Sequence, residues 1–259
     1  MQSDRIISVR KLPFNVTVRY RATGRLIGRL ELPDLSMFDE HPLVENGPRE
    51  LPIAHHDKLL AVTDGWYYLL IDVERLAVVW KRLIDNNNVT SEPPLRFALS
   101  DDYLAVLKHD YDTKALYMIR ASTGEVLWRT DPKDSNSPRP AYSMHIEGEQ
   151  LFAIEPHAGQ GYYVVGRNCE TGEQLFRQEV DGYQAKPEVT LLPQTFGPYL
   201  VTKLADRQDF ELQAFSSKDG RPVAKVGMKG VGPFGIPCRM SDTVQQGRLI
   251  LMSKDELRN

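Results

Sequence analysis

The chain has 259 residues, 41% of them hydrophobic and 26% charged, which excludes a disordered, collagenous or coiled-coil protein. Lys plus Arg number 32 against 35 Asp plus Glu, a net charge of −3 with no basic block, so nucleic acid is not an expected partner. No apolar run reaches the length of a secretory signal or a membrane span, so membrane insertion is not expected either.

Read in chain order, short strands and tight turns alternate throughout. A strand at 6–9 precedes a hairpin whose turn is Ala22-Thr23-Gly24-Arg25. Strands at 51–54 and 59–63 follow, then a hairpin turning at Asp72-Val73-Glu74-Arg75 and ending in Trp80. The third set runs through 96–99, 103–107 and 115–120, turns at Ser122-Thr123-Gly124-Glu125 and ends in Trp128. The fourth runs through 142–146, 151–154 and 161–165, turns at Glu170-Thr171-Gly172-Glu173 and ends in Phe176. The fifth runs through 189–192, 199–204 and 210–215 and turns at Lys218-Asp219-Gly220-Arg221. A last strand pair, 242–245 and 249–252, has no hairpin after it.

With Glu74 taken as the second turn position, the turns at 24, 74, 124, 172 and 220 are spaced 50, 50, 48 and 48 residues apart. Glycine supplies the positive φ that short hairpin turns need, and period-two β-branched and aromatic residues read as strand. Four antiparallel strands per repeat of about 50 residues form the blade of a β-propeller. The expectation is therefore an all-β propeller of about five four-stranded blades over residues 1–259, either closed by pairing of the C-terminal strand with the N-terminal hairpin or cut from a longer array of blades.

Thr123-Gly124-Glu125-Val126-Leu127-Trp128 and Thr171-Gly172-Glu173-Gln174-Leu175-Phe176 resemble the pyrroloquinoline-quinone-like (PQQ-like) propeller repeat of quinoprotein alcohol dehydrogenases. In that family the outer-strand tryptophan packs on a turn glycine of a neighbouring blade. The resemblance assigns blade docking to Trp80, Trp128 and Phe176, with Gly124 and Gly172 as turn glycines. Gly28 and Ala224 stand where the first and last repeats should carry the aromatic residue. The family usually has seven or eight blades, and its quinone binders are expected to carry adjacent cysteines, a tryptophan floor and calcium ligands. Here Cys169 and Cys238 lie 69 residues apart, and no calcium loop is spaced correctly. No cofactor and no metal are expected on that ground.

Long loops on one propeller face are where function concentrates. His109, Asp110 and Asp112 in one strand connection and His157 in the next form the most ligand-like constellation, suited to a cation or a sugar hydroxyl. The competing reading is a set of solvated loop residues making Asx turns. No Gly-x-Ser-x-Gly elbow or phosphate-cradling loop is present, and no catalytic residue is assigned. The resulting expectation is a non-catalytic platform that binds another protein or neighbouring domains of a larger bacterial extracytoplasmic polypeptide. The bacterial and extracytoplasmic parts come from the resemblance alone. The alternative is an enzyme, either a five-bladed glycoside hydrolase or a quinoprotein dehydrogenase relative.

Overall fold

The computed structural model describes residues 5–10, 14–32, 53–63, 67–83, 96–109, 114–130, 143–157, 161–180, 188–191, 199–205 and 210–228. All regular structure among them is β-strand, in one three-stranded and four four-stranded antiparallel sheets. This is the blade pattern of a β-propeller with five blades. The strand pair expected at 242–245 and 249–252, and with it ring closure, lies outside the described residues.

Sheet one contains β1 (Arg5–Arg10), β2 (Asn15–Tyr20) and β3 (Leu26–Glu31). Sheet two contains β4 (Ile53–His56), β5 (Leu59–Thr63), β6 (Tyr67–Asp72) and β7 (Ala77–Leu83). Sheet three contains β8 (Arg96–Leu99), β9 (Tyr103–His109), β10 (Lys114–Arg120) and β11 (Val126–Arg129). Sheet four contains β12 (Met144–Glu147), β13 (Gln150–His157), β14 (Gly161–Asn168) and β15 (Gln174–Glu179). Sheet five contains β16 (Glu188–Leu191), β17 (Tyr199–Ala205), β18 (Phe210–Ser216) and β19 (Pro222–Met228). In each sheet the strands pair in chain order. The chain divides into two compact units, Met1–Ser137 with three sheets and Pro138–Asn259 with two.

Within the first unit, strand alternation divides the core by parity. Leu60, Val62, Leu69 and Ile71 pack on Val16, Val18 and Phe14 of sheet one. Their chain neighbours Leu59, Ala61, Tyr68 and Leu70 pack the other way, on Leu104, Val106, Tyr117 and Ile119 of sheet three. All five residues of β5 are buried for this reason, and the first four are apolar, as a strand covered on both faces requires. In the second unit, Phe152, Ile154, Val164 and Phe176 pack on Leu200 and Phe215 of sheet five.

The turn motif has a direct physical basis. Gly24, Gly124, Gly172 and Gly220 have φ between 66° and 75°. The preceding Thr23, Thr123 and Thr171 each accept, through Oγ1, the backbone N–H of the residue after the glycine at 3.2 Å. Asp219 does the same for Arg221 at 3.3 Å. Strand register corrects the second repeat: Ile71 pairs with Val78 just as Ile119 pairs with Val126, so the equivalent of Gly124 is Leu76, not Glu74. Leu76 has φ 51°, and Asp72 caps the turn by accepting from the N–H groups of Glu74 and Arg75 at 2.9 Å. The corrected spacings are 52, 48, 48 and 48 residues.

Candidate functional site

Within each unit, the fourth residue after a turn position lies on the outer strand and meets the next blade's turn. Trp80 is 8% exposed, and its Nε1–H donates to the Ala121 carbonyl at 2.7 Å. A Cβ added to Gly124 would stand 2.9 Å from Trp80 Cδ2, so only glycine admits the indole there. Arg82 reinforces the joint by donating to the Thr123 carbonyl at 3.2 Å. Phe176 repeats the arrangement in the second unit, closing on Gly220 and stacking on Phe152 with ring centroids 6.2 Å apart.

The first joint reverses the sizes. Gly28 takes the aromatic position, and the turn position opposite it holds Leu76, whose side chain fills the place of a Gly28 Cβ. The total volume is kept while large and small residues change sides. Trp128, expected to be buried between blades, is half-buried; it lies on β11, the last described strand of its unit.

His109 and His157, expected in loops, are instead the last residues of β9 and β13, paired with Lys114 and Gly161. Asp110 and Asp112 lie outside the described residues, and with them the constellation of the four. Pro156 is a strand residue too, opposite Tyr162, and Gly161 opens the strand expected at 161–165. His55 and His56 likewise belong to β4, and the turn is carried by Asp57 at φ 48°. Among the described residues no group of three or more His, Cys, Asp or Glu is placed to hold a metal ion. No helix among them is long and apolar enough to cross a membrane.

Two buried titratable groups were not singled out from the sequence. Glu155, 2% exposed, accepts from Arg167 Nη2 at 3.2 Å, and Arg167 Nη1 also donates to the Gly172 carbonyl. Glu155 Oε2 and Arg167 Nε have no partner among the described residues. Burial holds the Glu155 carboxyl above its ordinary range, against the opposing pull of Arg167 and then Arg177. A second overlooked pattern was readable: Arg29, Lys81, Arg129, Arg177 and Lys225 each lie five residues after a turn position, and all are exposed. Lys81 sits over the Tyr67 ring at 4.2 Å and Arg177 over Tyr163 at 4.1 Å, while Lys225 pairs with Glu211 at 3.0 Å. The constant offset is the signal that could have revealed them.

Cys169 is fully buried, and burial followed by Glu149 and Glu170 pushes its thiol up to about 12. Its backbone N–H donates to the Glu149 carbonyl at 2.8 Å. A thiol so placed is neither a nucleophile nor half of an adjacent-cysteine pair. Trp80 in turn is committed to Ala121 and Gly124. These residues do not fit a pyrroloquinoline quinone.

No protein-family model matches the chain, and no curated protein sequence matches it significantly. Similar solved structures do exist. A quinohemoprotein alcohol dehydrogenase of Pseudomonas putida aligns at TM-score 0.52 and 14% identity, over 87% of this chain and 40% of its own. A europium-containing methanol dehydrogenase aligns at TM-score 0.51 and 10% identity, over 85% and 48%. Hsv2p of Kluyveromyces lactis aligns at TM-score 0.54 and 11% identity, over 88% and 62%. The chain thus spans from two fifths to under two thirds of these structures. It shares the β-propeller fold of these structures.

Proposed function

We propose that the chain is a non-catalytic binding or assembly platform within a larger bacterial extracytoplasmic protein, whose partner is another polypeptide or neighbouring domains of its own. One observation carries this reading: Trp80, Phe176 and Cys169, the side chains nearest in type to a quinone site, are consumed by packing. Trp80 and Phe176 close on turn glycines, and Cys169 is buried with its thiol held protonated. The bacterial and extracytoplasmic setting is supported by the likeness of the Thr-Gly-Glu repeats to quinoprotein blades. Likeness to an alcohol and a methanol dehydrogenase favours one other reading, a quinoprotein relative.

Photo-crosslinking in bacterial cells from Val223 and Val226, which are 52% and 60% exposed on the last described outer strand, tests the platform. Crosslinks to one polypeptide of discrete mass are expected. Alcohol-dependent dye reduction by the purified chain, reconstituted with quinone and calcium, would overturn it.

A further inference from the structure

Sheets one and four carry the same arginine pair in the same register. In sheet one, Arg19 lies between Ile6 and Leu26, Thr17 between Ser8 and Arg29, and Asn15 between Arg10 and Glu31. In sheet four, Arg167 lies between Leu151 and Gln174, Val165 between Ala153 and Arg177, and Tyr163 between Glu155 and Glu179. The bulge falls at the same step in both, between Val18 and Arg19 and between Gly166 and Arg167. Arg19 therefore corresponds to Arg167, Arg29 to Arg177, and Arg10 to Glu155.

In sheet four this arginine pair receives a carboxylate from the chain itself. Arg167 holds Glu155 at 3.2 Å, and Arg177 is close enough to favour its charged form. In sheet one the carboxylate's position holds a third arginine, and the hydroxyl residues Ser8 and Thr17 replace Ala153 and Val165. The result is an open cleft of about 300 Å³ lined by Ser8, Arg10, Asn15, Thr17, Arg19 and Arg29.

The charges on this face are unbalanced. Arg19 Nη1 donates to the Gly24 carbonyl at 3.1 Å, Arg29 Nε pairs with Glu31 at 3.1 Å, and Arg10 has no such partner among the described residues. Among the described residues, three guanidinium groups against one carboxylate leave two positive charges unmatched on this face. The opposite face of the sheet is committed to packing on sheet two through Val16, Val18 and Phe14.

We propose that the open face of sheet one binds a dianionic oxyanion of the phosphate class, seated where sheet four places its own carboxylate. Guanidinium forks match tetrahedral oxyanions with paired N–H donors, and the Ser8 and Thr17 hydroxyls add donors between them. The proposal stands apart from the platform reading. The same chemistry serves a free phosphate ion or a phosphate group on a larger ligand.

The test is calorimetric titration of the full chain at low salt, first with inorganic phosphate and then with phenyl phosphate. One saturable equivalent is expected. Saturation by both ligands supports the site with a phosphate monoester as its natural ligand, and saturation by inorganic phosphate alone supports it with the free ion. Arg10→Glu, which supplies the internal carboxylate of sheet four, should weaken binding by about tenfold or more, as should Arg19→Gln. Arg25→Gln, which alters an exposed arginine over Tyr20 outside the cleft, should leave it unchanged. Thermal melting of each variant checks the fold. Absence of saturable heat, equal affinity in Arg10→Glu and the unsubstituted chain, or acetate binding as tightly as phosphate would overturn the proposal.

Discussion

At Gly124 two requirements coincide, a left-handed backbone at φ 72° and a neighbouring indole where a Cβ would stand. At Gly24 only the first applies, since φ is 66° and nothing lies within 4 Å of an added Cβ. Gly24→Ala should therefore cost about 1–2 kcal/mol, the left-handed penalty alone. Gly124→Ala should cost about 1–3 kcal/mol more through overpacking, read as a lower midpoint in denaturant unfolding. Equal losses would show that the indole yields freely. Trp80→Ala should cost about 3–5 kcal/mol, and Trp128→Ala distinctly less because its ring is half-buried. The Thr-Gly pairs were legible because both residues have local reasons to be there, a cap and a positive φ. Leu76 was not, since a leucine at φ 51° runs against propensity and reveals itself only through register.

Between elements, complementary volume decides more than residue type. Trp80 with Gly124 and Gly28 with Leu76 fill the same kind of joint with the sizes exchanged. Gly28→Trp alone should overpack the first joint by about 1–3 kcal/mol or more, while Gly28→Trp combined with Leu76→Gly should recover much of that loss. A double-mutant cycle should return a favourable coupling of about 0.5–3 kcal/mol, and additive losses would mean that these residues do not form one joint. Reading positions singly along the repeat marks Gly28 as a missing aromatic. Only pairing it with the turn of the next blade shows why it is small. The end of β13 at His157 was hidden for a related reason, because Pro156 looks like a loop residue until strand pairing is known.

The Glu155 and Arg167 pair joins two strands of one sheet, and its pH response has a defined sign. Because burial raises the Glu155 carboxyl in the folded chain, the folded state binds that proton more tightly than the unfolded state does. Its contribution to stability is complete below the usual glutamate range and is lost as pH rises through the folded-state value. The melting temperature of the unsubstituted chain, relative to Glu155→Gln, should therefore fall as pH rises from about 4 to 7. A flat difference would contradict the assignment. Arg167→Leu should cost about 3–5 kcal/mol at neutral pH, since it leaves a buried carboxylate unpaired, and less at pH 4, where the carboxyl takes up a proton.

At the scale of the molecule, the blade period was legible because each repeat is one supersecondary unit that needs neighbours to cover its apolar faces. The β5 and β6 residues that alternate between sheets one and three show that requirement directly. Chemistry was less legible, because a repeat unit records what packs and not what binds. The sheet-one cleft departs from sheet four at Ser8, Arg10 and Thr17, a contrast visible only once register aligns the two. The central functional claim is that these blades form a platform and not a seat for a redox cofactor. Its most direct test is calorimetric titration of the purified full chain with pyrroloquinoline quinone in excess calcium. A platform gives only the heat of dilution, whereas saturation at one equivalent of quinone per chain would contradict the claim.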